Sequence, residues 1–144
     1  MEESDNLKLE NQICFPLYAC SKEIIKRYKT FLDEIDLTYT QYITMMVLWD
    51  KKEINVKELG EYLFLDSGTL TPVLKKLENK KYIERVRSKK DERNLIISIT
   101  KLGIDLKNRA KDIPSKISKC ACLEEKEALE LYKLLYKILA NFKD

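Results

Sequence analysis

The chain has 144 residues, 44% hydrophobic and 35% charged, with only 3 glycines and 3 prolines. This is material for one domain, with or without helical extensions, that is mostly helical, and it holds too few turn residues for a β-sandwich or barrel. The net charge of +3 is too small to select a partner by itself.

The N-terminal stretch MEESDNLKLENQ is acidic and polar and lacks the basic-then-apolar order of a signal peptide. No apolar run reaches membrane-spanning length, so a cytoplasmic protein without membrane association is expected. In residues 9–35, Ile13, Leu17, Cys20, Ile24, Tyr28 and Phe31 recur at helical spacing, which predicts one long helix. Pro16 requires that helix either to start close to it or to bend there. Thr38 and Gln41 have capping-box form and open a helix over 41–49. Asn55, with Glu58 three residues on, starts a third helix ending near Leu63, and Asp66-Ser67 caps a fourth over 68–79.

The period then changes. Residues 82–87 and 94–99 are β-branched and partly alternating, and the polar stretch 88–93 lies between them, which reads as a hairpin with a charged tip. Thr100 opens a helix over about 100–111, Pro114 punctuates, and a last amphipathic helix covers 124–142. The order predicts a mostly α fold, a winged helix-turn-helix with a two-stranded β wing between N- and C-terminal dimerisation helices. Three regions follow: 1–35 for dimerisation, 36–100 for DNA binding and 101–144 for dimerisation.

Charge is concentrated where this reading needs it. Residues 75–93 hold nine basic residues against four acids, a local net charge of +5, and the rest of the chain sums to −2. Such a patch is the footprint of a phosphate-backbone partner. On the second helix of the motif, Ser67, Thr69, Thr71 and Pro72 are placed to meet base edges, with Lys75 and Lys76 suited to phosphates. On the hairpin, Arg87, Lys89, Lys90 and Arg93 suit the neighbouring minor groove, and Asp91 suits orienting Arg93. The terminal helices carry apolar faces that so small a core cannot cover. A second copy would cover them and place two recognition helices about one DNA turn apart, which fits double-stranded DNA with a pseudo-palindromic operator.

The string Asp66-Ser-Gly-Thr-Leu-Thr-Pro-Val-Leu-Lys-Lys-Leu77, then Asp91-Glu-Arg93, then Ile99-Thr100 with Gly103, resembles the MarR family of bacterial regulators. Asn11-Gln-Ile-Cys-Phe15 and Asp36-Leu-Thr-Tyr-Thr-Gln-Tyr42 make it similar to the organic-hydroperoxide-sensing branch and its staphylococcal relatives. Residues 7–105 carry the likeness well and the C-terminal helices loosely, and Pro16 departs from that branch. The resemblance implies a dimeric repressor released from DNA when a peroxide or other thiol oxidant attacks Cys14. It also implies that Tyr28 and Tyr39 hydrogen-bond the reactive sulfur, and that Cys122, or failing it Cys120, resolves the oxidised cysteine as an intersubunit disulfide. Fourteen residues of continuous helix span about 21 Å, so Tyr28 can meet Cys14 only across a dimer or past a break.

Other readings remain open at this point. The trigger could be a small aromatic ligand in the dimer crevice, with Cys14 merely buried. Cys20 reads as a packing residue. Zinc is disfavoured, because Cys120-Ala-Cys122 is the only close cysteine pair and histidine is absent. With no histidine, few glycines and no phosphate loop, an enzyme is not expected and no cofactor is implied. An architectural DNA protein differs by binding without sequence preference.

Overall fold

The computed structural model describes residues 3–91 and 94–142. Two 3₁₀ turns, Glu3–Leu7 and Leu9–Asn11, precede α1 (Cys14–Leu32), and a third (Asp33–Ile35) follows it. The helical region read over 9–35 is therefore three segments. Pro16 falls in the first turn of α1, where its missing N–H costs nothing, and this resolves the choice between a late start and a bend.

Next come α2 (Tyr39–Lys51), β1 (Glu53–Asn55), α3 (Val56–Leu63), α4 (Ser67–Asn79), β2 (Ile83–Arg87) and β3 (Leu95–Ile99). The chain continues through α5 (Lys101–Ala110), α6 (Ile113–Ala121) and α7 (Glu125–Ala140). The caps were legible. Thr38 accepts from the Gln41 N–H at 3.3 Å while the Gln41 side chain accepts from the Thr38 N–H at 3.1 Å. Asn55 accepts from the Lys57 N–H and Asp66 from the Thr69 N–H, both at 2.7 Å.

Two elements go beyond the expectation. The expected wing of β2 and β3 gains a third strand, giving the antiparallel order β1-β3-β2, with Ile54 opposite Ile97 and Arg85 also opposite Ile97. Pro114 does not interrupt helix formation but sits at the start of α6.

One core joins the C-terminal end of α1, α2 to α5, the start of α6 and the sheet. Leu32, Met45, Leu48, Leu59, Leu70, Leu74, Leu77, Ile83 and Ile97 are its most buried side chains. Trp49 closes it by donating its indole N–H to the Gly103 carbonyl at 2.8 Å. The outer helices differ: α6 packs along α1, while α7 buries none of its residues. Leu7, Ile13, Leu17 and Ile24 are exposed at one end, as are Leu129, Leu131, Leu134, Ile138 and Phe142 at the other. Among the described residues no helix is long and apolar enough to cross a membrane.

Candidate DNA-binding surface and thiol site

The recognition-helix candidate, α4, is amphipathic. Leu70, Val73, Leu74 and Leu77 are buried, which turns Ser67, Thr69, Thr71, Pro72, Lys75 and Lys76 to solvent. Asp66 starts the helix, and its bond from the Thr69 N–H holds its carboxyl below the usual range. The Thr71 hydroxyl donates to the Ser67 carbonyl at 2.7 Å, so its proton is used within the helix. Pro72 has no N–H, which leaves the Gly68 carbonyl without its helical donor.

The wing is closed by the Ser88 N–H donating to the Asn94 carbonyl at 2.7 Å and the Asn94 N–H to the Asp91 carbonyl at 3.0 Å. Arg87, Lys89, Lys90 and Asp91 are exposed. Arg93, with the ion pair expected of it, lies outside the described residues.

Arg85 and Lys80 of the positive segment are engaged inside the fold. Arg85 forms a two-pronged pair with Glu78 of α4, Nε to Oε2 at 3.0 Å and Nη2 to Oε1 at 3.1 Å. That contact holds the Glu78 carboxyl below its ordinary range. Lys80, at the end of α4, donates to the Asp36 carbonyl and to Gln41 Oε1 at 3.3 Å, and it lies 3.4 Å from Asp36 Oδ2.

All four cysteines are free and exposed. Cys14 is the first residue of α1, and Cys20 is not packed within the chain as expected. Cys120 is the penultimate residue of α6, with its thiol 3.4 Å from the Lys116 carbonyl, and Cys122 caps the helix in left-handed conformation at φ 51°, 3.4 Å from the Lys119 carbonyl. The tyrosines assemble elsewhere. Tyr28 and Tyr39 have ring centroids 4.9 Å apart, and Tyr42 lies 5.8 Å from Tyr28 and 6.3 Å from Trp49. Burial, reinforced by the neighbouring phenols, pushes Tyr28 up to about 12. Burial raises Tyr39 and Tyr42 as well. These phenols are neutral near pH 7, so they can donate hydrogen bonds to an anionic sulfur but cannot act as bases. Helix α1 is unbroken from Cys14 to Tyr28, so about 21 Å separates them along its axis within one chain.

A family model described as the transcriptional regulator SarA/Rot matches residues 26–110, more than half of the chain and the whole of the α2–β3 unit. The chain belongs to the SarA/Rot family of transcriptional regulators. Its SarA/Rot membership carries the MarR-type winged-helix fold and sets it among regulators, not enzymes. The organic hydroperoxide resistance transcriptional regulator of Bacillus subtilis (strain 168) is 46% identical, over 94% of this chain and 92% of its own. The regulator SarZ of Staphylococcus aureus (strain USA300) is 49% identical, over 95% and 93%. Among solved structures, reduced AbfR bound to DNA is 31% identical with a TM-score of 0.77, covering 97% of this chain and 98% of that one. The disulfide-formed state of AbfR fits less closely, with a TM-score of 0.64 at 31% identity, covering 95% and 96%. AbfR is a protein of Staphylococcus epidermidis.

Sequence reasoning on this SarA/Rot chain missed Tyr42, although its place three residues after Tyr39 put both on one helix face. It also missed the internal roles of Lys80 and Arg85, which carry no sequence signal because their partners are set by tertiary approach. A cavity of about 890 Å³ was not anticipated either; it lies between α3, the start of α4 and β3, lined by Val56, Phe64, Leu65, Leu70 and Leu95 with Lys57, Glu61 and Ser67 at its polar edge.

Proposed function

We propose that this chain is a homodimeric, sequence-specific DNA-binding repressor of the cytoplasm, inactivated when an organic hydroperoxide or similar oxidant attacks Cys14. Residues 36–100 bind DNA in this reading, and residues 1–35 and 101–144 form the dimer. Ser67, Thr69, Thr71 and Pro72 read a pseudo-palindromic operator in the major groove, Lys75 and Lys76 hold phosphates, and the wing from Arg87 to Arg93 reaches the minor groove. The observation that carries the sensing half is the separation of Cys14 from the Tyr28–Tyr39 pair along an unbroken helix. A sensor using these three residues therefore draws on both subunits. The uncovered apolar faces of α1 and α7 supply the surface for that second copy.

The Cys14 thiolate attacks the distal oxygen of the hydroperoxide; the S–O bond forms, the O–O bond breaks, and the alkoxide takes a proton to leave as alcohol. Sulfur is oxidised by two electrons and the peroxide is reduced. Cys122 or Cys120 of the second copy then condenses with the sulfenic acid, releasing water and forming a disulfide. The closer fit of the chain to reduced than to disulfide-formed AbfR supports a shape change at this step.

The test is a DNA titration with and without an alkyl hydroperoxide, on wild type and Cys14→Ser, with non-reducing gels of the same samples. Wild type should release DNA and Cys14→Ser should hold it. A second reading has an aromatic ligand as trigger with Cys14 uninvolved, and the apolar-floored cavity beside α4 favours it. Release of Cys14→Ser by peroxide would exclude the cysteine switch.

A further inference from the structure

We infer that the Glu78–Arg85 pair is a positioning device that sets the angle of the wing against the recognition helix, so that neither residue need touch DNA for both to be required for minor-groove contact. The inference rests on the wing reading above and deepens it. Ile83, Arg85 and Arg87 share one face of β2, because side chains alternate along a strand. Along that face burial fades: Ile83 is in the core, the Arg85 side chain is 25% exposed, and Arg87 is on the surface. Arg85 thus ties β2 to α4 at the point where this face passes from core to surface.

The geometry suits the task. A guanidinium gripping a carboxylate with two parallel N–H bonds fixes direction as well as distance, which a single lysine bond does not. The partners sit on the two elements that must fit adjacent grooves together, Glu78 on the penultimate residue of α4 and Arg85 in mid-strand. From Arg85 to Lys89, two residues beyond the end of β2, the chain reaches at most about 13 Å at about 3.3 Å per residue. A tilt of about 10° at Arg85 moves the tip by about 2 Å, enough to break a hydrogen bond to a phosphate or base edge. The pair is therefore spent on shape, although both residues fall within the positive segment.

The experiment uses reduced full-length protein and an operator duplex selected from random-sequence DNA on wild type. Affinity is measured by fluorescence anisotropy and contacts by hydroxyl-radical footprinting. Glu78→Gln and Arg85→Lys should each weaken binding about five-fold, the scale of one favourable two-pronged pair at partial exposure. Protection should be lost at the flanking minor-groove positions and kept at the central major-groove ones. The reversed pair, Glu78→Arg with Arg85→Glu, should restore both readouts, which a merely destabilised protein would not do. Arg85→Lys retains the charge and keeps the test readable if Glu78→Gln fails to fold. Flanking protection that survives the single substitutions, or a loss spread evenly over the site, overturns the positioning role. A wild-type footprint with no flanking protection overturns the wing reading itself.

Discussion

Gly103 is the position where a single methyl group is expected to do most damage. A Cβ built there would stand 2.3 Å from the Tyr82 carbonyl oxygen and 2.8 Å from Ile99 Cγ1. Ordinary contact needs about 3.4 Å or more, so α5 must retreat by about 1 Å from the start of β2. The backbone there has no slack. The Tyr82 carbonyl already accepts from the Thr100 N–H at 3.0 Å, and the Gly103 carbonyl accepts from the Trp49 indole at 2.8 Å. Overpacking of a tight core costs about 1–3 kcal/mol, and an obstacle made of backbone argues for the upper end, about 3 kcal/mol. For a chain of this size that is a melting-temperature loss of about 6–12 °C. Gly103→Ala can be followed by circular dichroism and by fluorescence, since Trp49 is the sole tryptophan and touches the altered residue. Emission should shift as the indole bond is strained. A variant that melts within 2 °C or so of wild type with unchanged emission would refute the packing argument.

Lys75→Ala and Lys76→Ala should each weaken DNA binding about equally on specific and random duplexes and reduce the slope of log affinity against log salt by about 1, measured by anisotropy over a salt series. Thr69→Ala or Thr71→Ala should by contrast change sequence preference, read as altered discrimination among operator variants. Tyr28 ionises at about 12 in the folded chain against 10.0 for a free phenol. The unfolded state therefore loses its proton first, and stability should be intact below pH 10 and decline as pH rises towards 12. Tyr28→Phe should remove that part of the alkaline loss in denaturant titrations.

What could be read from the residues was whatever is encoded locally. Thr38 with Gln41, Asn55, Asp66 and Thr100 all cap helices because a short polar side chain meets an N–H two or three residues on, and sequence spacing contains that distance. The face of α4 followed for the same reason. β1 was missed because three residues cannot show a period, and Glu53–Asn55 is a strand only because β3 comes alongside. Pro114 was read as a break when it was a start, since proline fits the first helical turn and its sequence context alone does not say which side the helix takes. The motif glycine, Gly103, was noticed as a pattern; its reason is the Tyr82 carbonyl, a contact across 21 residues. The tyrosine pair was placed by resemblance, and packing adds Tyr42 and the burial that keeps the group protonated.

The positive segment shows why a charge count overstates a binding surface. Of its basic residues, Lys80 holds the end of α4 to the turn before α2, and Arg85 holds β2 to α4. Each sits partly buried, at 28% and 25% exposure, and Lys80 also satisfies the side-chain oxygen of the buried Gln41. Lys75 and Lys76 on the helix and Lys89 and Lys90 on the hairpin remain exposed. The two groups depend on each other. Exposed lysines on separate elements fit one DNA duplex only if those elements keep a fixed angle, and the pair of Arg85 with Glu78 is the inferred means of holding it. Removing an exposed lysine should subtract one phosphate contact, whereas removing Arg85 should misplace several at once. On the proposed reading, the residue expected to matter more for binding is the one that grips Glu78 and not the duplex.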